Sequence, residues 1–213
     1  VIRSAFLQAG QRIKFESFGK SAYHSREMSE ALRTVEKVML LHLIYPVTSN
    51  TLPMLADIKK HPRLQVIDTG MLNYFVGIQK DILHTPDLNS IYAGKMMEHL
   101  AGQELLAFQY LSLSGLNFWV REKATSSAEI DFVYAFDGKL IPIEVKSGAT
   151  GKLKSLHLFM EDAPHQKAVR FYADEWKWTN AVTKGGKEFR ILNLPYYLVS
   201  QIHSYLNWFS TAE

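Results

Sequence analysis

Glu129-Ile130-Asp131-Phe132-Val133-Tyr134-Ala135-Phe136-Asp137-Gly138-Lys139-Leu140-Ile141-Pro142-Ile143-Glu144-Val145-Lys146 is the stretch on which the reading of this chain turns. Two alternating runs flank Asp137-Gly138, a pair that favours a two-residue type I′ hairpin because both central positions need positive φ. Such a turn sets Phe136 opposite Lys139. Counting outward, Asp131 falls opposite Glu144 and Glu129 opposite Lys146, an assignment that a one-residue bulge would shift. Period two then puts Ile130, Phe132 and Tyr134 on one face with Ile141, Ile143 and Val145, an apolar side that packs on helices. Glu129, Asp131, Glu144 and Lys146 occupy the other side.

Carboxylates directly opposed in a sheet repel, with Cβ atoms only about 5 Å apart, so a cation is expected between Asp131 and Glu144. A hard divalent ion such as Mg²⁺ takes one or two carboxylates and keeps several waters, which suits this pair. Lys146, two residues from Glu144 on the same face, is placed to orient a metal-activated water or to steady charge on a phosphate. Upstream, residues 90–111 have the period of a long amphipathic helix, with Ala93, Met97, Leu100, Ala101, Leu105 and Phe108 on one face. Glu98 lies on this helix between Gly94 and Gly102, small neighbours that let the helix approach the sheet, and is expected to reach the same ion as a third acid.

Around this centre the pattern predicts strands over 117–121, 128–136 and 139–146. A helix over 152–162, strands over 168–172 and 188–194 and a closing helix over 196–209 follow. Before it come short helical patterns at 2–8 and 15–18, and a helical period from 26 to 44 with Ser25 as N-cap. An apolar run at 43–47, a loop-like tract at 48–62, a return strand at 64–67, and an Asp68-Thr69-Gly70 turn into a short helix at 71–76 complete this part. Residues 81–89 are a polar connection containing Pro86. The fold class expected is α/β (α+β), with a small winged-helix-like and linker segment over 1–88 and a second domain over 89–213 whose order is helix, three strands, helix, strand.

Glu98, Ile130-Asp131 and Glu144-Val145-Lys146, set on that order, resemble the restriction-endonuclease-like nucleases with their PD-(D/E)xK motif. Ile130 stands where the full motif often has proline. Gly94-Lys95-Met96-Met97-Glu98, Glu129-Ile130-Asp131-Phe132-Val133 and Ile143-Glu144-Val145-Lys146-Ser147-Gly148 are more closely similar to the uncharacterised C-terminal domain of bacterial and archaeal AAA-type ATPases. The Asp68-Thr69-Gly70-Met71 turn is similar to that family's linker. The resemblance implies an upstream P-loop ATPase domain that holds ATP and is absent here. It implies Asp131 and Glu144 as metal ligands, Lys146 as the catalytic lysine and Glu98 as the helix acid, all four being candidate catalytic residues. The activity implied by fold analogy is Mg²⁺-dependent phosphodiester hydrolysis of DNA. The rival expectation is a catalytically inactive module that binds DNA or a protein partner under control of the upstream ATPase, and a third is an assembly domain for homo-oligomers.

Other features carry blander readings. Lys146 could pair with Glu129 or Glu144 as a surface ion pair. No two histidines show the helical spacing of a zinc protease; His42 and His157 are expected to border helix cores and His99 to lie on the surface. Gly151-Lys152 is followed by Leu153 rather than Ser or Thr, which excludes a phosphate loop. Trp176, Trp178 and the 184–187 lysines could stack bases beside phosphates, or cover the edge of the core as a hairpin. The 26–44 helix has a near-neutral polar face, which argues against strong phosphate contact.

Composition sets the outer limits. The 213 residues are 47% hydrophobic, 21% charged and 12% aromatic, the usage of ordinary globular proteins. Lys plus Arg at 24 against Asp plus Glu at 21 leaves +3, too small to demand a polyanionic partner. The absence of cysteine excludes disulfides, thiolate metal sites and Cys nucleophiles, and is compatible with a reducing cytoplasm. No run approaches a membrane span, the nearest being 38–47, interrupted by His42 and Pro46. The chain opens on Val1 without a signal-peptide pattern and reads as the downstream part of a longer protein.

Overall fold

The computed structural model describes residues 1–84, 95–108, 115–123, 126–146, 148 and 152–211. The central hairpin joins β5 (Ser126–Phe136) to β6 (Lys139–Val145) through Asp137 (φ 47°) and Gly138 (φ 68°), both left-handed as the type I′ turn requires. Its register runs from Phe136 opposite Lys139 to Phe132 opposite Ile143, the pairing the turn chemistry predicts. A side chain at Gly138 would have to adopt the left-handed region. Gly138→Val is therefore expected to lower the unfolding free energy by about 1–2 kcal/mol, readable as a drop of several degrees in the thermal midpoint.

The hairpin lies at the middle of a seven-stranded mixed sheet of order β2-β4-β5-β6-β7-β9-β8. Its other strands are β2 (Pro46–Val47), β4 (Asn117–Lys123), β7 (Lys167–Tyr172), β8 (Lys177–Val182) and β9 (Glu188–Pro195). β4, β5 and β6 are mutually antiparallel, β6, β7 and β9 are parallel, β8 returns antiparallel on β9, and β2 lies parallel to β4. One face is covered by α5 (Lys95–Phe108), a 3₁₀ turn over Tyr196–Gln201 and α7 (Ile202–Thr211). There Met97, Ala101 and Leu105 meet Phe132, Ile143, Val169 and Leu192. The opposite face packs on α6 (Lys154–Asp162), whose Leu156, Phe159 and Met160 meet Val133, Leu140, Ala168 and Ile191. The order helix, three strands, helix, strand is present as α5, β4, β5, β6, α6 and β7, in a mixed α+β architecture.

The first part of the chain folds as α1 (Ile2–Leu7), a 3₁₀ turn at Phe18–Lys20, α2 (Ser25–Lys37), and a two-stranded antiparallel sheet of β1 (Leu41–Ile44) and β3 (Arg63–Val66). α2 ends earlier than the helical period to Ile44 suggests. Met39 takes a left-handed φ of 60°, and the apolar residues beyond it continue as β1 instead. His24 rather than Ser25 occupies the N-cap position, its N–H donating to the Glu27 carboxylate at 3.0 Å. α3 (Thr69–Val76) is capped by Asp68, whose carboxylate accepts from Met71 N–H at 3.0 Å, and α4 (Gln79–His84) follows. The expected connection at 85–89 and the start of the long helix at 90–94, with Ala93 and Gly94, lie outside the described residues. Phe108, expected on the buried helix face, is largely exposed at the end of α5. Among the described residues no helix is long and apolar enough to cross a membrane.

Candidate active site

One extra residue in β5 shapes the site. Asn117 pairs with Val133 and Trp119 with Ile130, so two steps along β4 match three along β5, and the surplus falls at Asp131-Phe132. This bulge corrects the simple alternation. Ile130 does not share the α5 face with Phe132 and Tyr134 but lies with Trp119 and Leu156 under α6. The β5–β6 ladder stops at Phe132–Ile143, and the Asp131 carboxylate takes over as the acceptor for Val145 N–H at 2.7 Å. Asp131 thus meets the end of β6 through Val145, and the direct Asp131–Glu144 pair that simple alternation expects is not part of the ladder.

Glu129 does not come to rest opposite Lys146. It pairs across to Val120 of β4 and turns to Arg63, whose Nη2 donates to its carboxylate at 2.6 Å. Arg63 Nη1 donates to the backbone carbonyl of Asp131 at 3.1 Å, and the guanidinium lies 4.4 Å from the Phe118 ring centroid. Only 3% exposed, Arg63 of β3 pins both sides of the bulge. The expected strand opens at Leu64 and omits Arg63; an arginine at the head of an apolar run is the signal that marks it.

Glu144 is 5% exposed, so the surface ion-pair reading does not describe it. Lys146 Nζ donates to Glu144 Oε1, while Glu144 Oε2 is buried with no hydrogen-bond partner. The hydroxyl of Tyr196 donates to the Lys146 backbone carbonyl and ties the lysine to the 3₁₀ turn. Burial first, then the negative charge of Asp131, pushes the Glu144 carboxyl up to about 8, against the pull of Lys146. Burial and Asp131 likewise push Glu98 up to about 7, opposed by Arg63 and Lys146. Asp131 is raised by burial, with Arg63 and the Val145 N–H opposing. Burial pulls the Lys146 ammonium down, but the facing Glu144, Asp131 and Glu98 carboxylates win and raise it.

The four sequence-expected residues therefore share one electrostatic neighbourhood in which negative charge is under-compensated. Among the described residues, however, no group of three or more His, Asp or Glu is placed to hold a metal ion together. Glu144 is drawn to Lys146 and Asp131 to a backbone N–H. Gly102 admits the Gln65 side chain of β3: a Cβ there would stand 2.4 Å from Gln65 Oε1. Gln65 in turn donates to the His99 carbonyl at 3.0 Å.

Among the blander candidates, His99 is buried at 1% exposure rather than on the surface, and burial pushes its imidazole down to about 4. His157 stacks edge-on against Phe189, and His42 sits 2.8 Å from the Glu36 carboxylate on β1. Trp176 and Trp178 pack on Trp208, with ring centroids 5.4 and 5.3 Å away, at the start of β8. Lys184 and Lys187 lie past the other end of β8, about 15–20 Å along the strand, so the tryptophans and lysines do not form one base-stacking patch, and the stretch folds as the β8–β9 hairpin of the alternative reading.

Residues 93–196 match the family described as a domain of unknown function, DUF4143, and residues 1–82 match a second domain of unknown function, DUF8612. No curated protein matches the chain.

Proposed function

We propose that the Asp131–Glu144–Lys146 site is that of a metal-dependent phosphodiesterase acting on DNA, on a restriction-endonuclease-like core preceded by a winged-helix-like segment. In this reading the chain is the C-terminal part of an AAA-type ATPase. The observation that carries it is the buried, unpartnered Oε2 of Glu144, facing a second carboxylate across a β-bulge with a lysine two residues on. Hard oxygen donors in an under-compensated negative site fit a divalent ion such as Mg²⁺, with Asp131 and Glu144 as its holders and Glu98 as the accessory acid. When bound, such an ion supplies Lewis acidity at a phosphoryl oxygen and lowers the pKa of an attacking water.

The protein's own groups would do the rest. Lys146, released from Glu144 once the carboxylate has another cation, would place its ammonium against charge building on the phosphate. Tyr196 fixes the lysine's backbone. Arg63 fixes the bulge that aims Asp131, without touching substrate.

The test is calorimetric titration of Mg²⁺ and Mn²⁺ into the wild-type chain, Asp131→Asn and Glu144→Gln, with single- and double-stranded DNA incubated in parallel. The expected result is binding heat and strand breaks in the wild type and neither in the two variants. An absence of heat and of breaks in the wild type, with DNA and the upstream ATPase domain supplied, would overturn the reading. The absence of a ready three-acid group among the described residues favours the second reading, an inactive module for binding DNA or a protein partner. There, Glu144→Gln would leave partner binding intact.

A further inference from the structure

A polar row runs across the sheet away from the candidate site. The register sets Glu144 of β6 beside Arg170 of β7, Arg170 beside Asn193 of β9, and Asn193 beside Lys177 of β8. Residues in register share a face, so the four side chains form one line. The row two residues back on β7 and β9, Ala168 and Ile191, is apolar and lies under α6. Past it the covering changes from hydrocarbon to polar groups.

Three successive members of this row carry a buried polar atom with no hydrogen-bond partner: Glu144 Oε2, Arg170 Nε and Asn193 Oδ1. Asn193 is fully buried, and its Nδ2 donates to Lys177 O and Ile191 O, each at 3.1 Å, and to Thr179 Oγ1 at 3.2 Å. The two backbone carbonyls can only accept, and they fix which end of the amide is the nitrogen. The Arg170 guanidinium lies 4.3 Å from the Tyr172 ring centroid, and Lys177 pairs with Asp174 at 3.1 Å. Unpaired buried groups are rare in native interiors, and three side by side mark a place that water, an ion or a ligand completes.

The chemistry of that completion is constrained. Arg170 requires an acceptor, preferably anionic. Asn193 Oδ1, one strand away at about 5 Å, requires a donor. A phosphate oxygen meets the first need, and a base amino group or, in RNA, the 2′-hydroxyl meets the second, since an internal deoxyribose has no free hydroxyl. Beside the row, Tyr172, Asp174, Pro195, Tyr196 and Tyr197 line a groove of about 350 Å³, within the size range of small-ligand clefts. Its Tyr196 is the residue that holds the Lys146 carbonyl.

We propose that Arg170 and Asn193, with Lys177 at the outer end, form a subsite for the nucleotide adjoining the scissile phosphodiester of a nucleic-acid strand, its phosphate toward Arg170 and an N–H or 2′-hydroxyl donor toward Asn193. The proposal rests on the reading of Glu144 and Lys146 as a phosphodiester site. It gives the strand a direction of travel, from β6 toward the β8 edge.

The test is fluorescence anisotropy of a labelled 20-mer, as DNA and as RNA, with the wild type, Arg170→Gln, Arg170→Lys and Lys177→Gln, in EDTA over a range of salt. Arg170→Gln is expected to weaken binding about tenfold and to reduce the slope of log affinity against log salt by about one phosphate contact. Arg170→Lys should keep the slope and recover most of the affinity, and Lys177→Gln should lose a smaller part. Thermal midpoints, measured alongside, should stay close to wild type. Wild-type affinity and slope in Arg170→Gln, a change in its thermal midpoint alone, or no binding by the wild type would overturn the subsite. Oligonucleotide binding that depends on Arg170 without any metal heat would sink the hydrolytic reading and leave the subsite standing. Metal-dependent strand breaks indifferent to Arg170 would do the reverse.

Discussion

Arg63→Met is expected to cost about 1–3 kcal/mol of stability, the size typical for leaving a buried acceptor without its donor. The guanidinium is 3% exposed and serves three partners at once: the Glu129 carboxylate, the Asp131 carbonyl and the Phe118 ring. Methionine fills much of the volume but leaves the Asp131 carbonyl without its donor. It also removes the positive charge that offsets Asp131 and Glu98. Against a total stability of roughly 5–15 kcal/mol, this loss is large. Chemical denaturation of the single variant, Glu129→Gln and the double variant closes a cycle. The double variant should recover part of the loss, since the carboxylate that needed Arg63 is gone. Additive losses would show that Arg63 acts independently of Glu129, through the Asp131 carbonyl and the Phe118 ring.

The second expected result concerns pH. Burial and the facing Asp131 push the Glu144 carboxyl up to about 8 and Glu98 up to about 7, against an ordinary value of 4.5. Raised carboxyl pKa values mean that the folded state binds more protons than the unfolded state between these limits, so stability falls as pH rises from about 4.5 to about 8. Below the lower limit both states are protonated and the effect vanishes. For Glu144 alone the loss is at most about 5 kcal/mol, about 1.36 kcal/mol for each pH unit between 4.5 and 8, so Glu144→Gln should unfold at higher temperature than wild type at pH 8 and show little difference at pH 4.5. A divalent ion held by Asp131 and Glu144 would oppose the same loss. Saturation about a hundredfold above its dissociation constant corresponds to about 2.7 kcal/mol, and hence to several degrees in the midpoint. The rise with Mg²⁺ should be larger at pH 8 than at pH 6, where protons compete. A flat stability profile from pH 5 to 8 would show that the carboxylates are already compensated.

What was legible in the sequence is what local chemistry decides. Asp137-Gly138 carried its own turn, and with it the pairing from Phe136 to Phe132, because two positive φ values and period two need no information from elsewhere. The meeting of Asp131 with the end of β6 followed. The bulge did not follow, because the extra residue in β5 is visible only against β4, and alternation within β5 gives no sign of it. Arg63 reaches Glu129 and Asp131 across 66 and 68 residues, a separation at which periodicity is silent. His99 was misplaced by treating α5 as having one buried face, whereas the helix is also covered from the side by the chain around Ala9-Gly10 and by Gln65. β8 is legible only as one arm of a hairpin carrying Trp176 and Trp178, without bounds, because an exposed edge strand with mixed side chains lacks the apolar alternation that reveals inner strands.

Pro46–Val47 adds a strand to the far edge of the large sheet, and Arg63, a little further on, closes over the bulge. The chain before residue 93 thus contributes both an edge and a clasp to the part after it. In evolutionary terms, the two segments form a poor unit for exchange. A recombination event that carried residues 93–196 alone into another protein would leave the β4 edge open and the Asp131 carbonyl bare, so the recipient would have to supply a replacement for each.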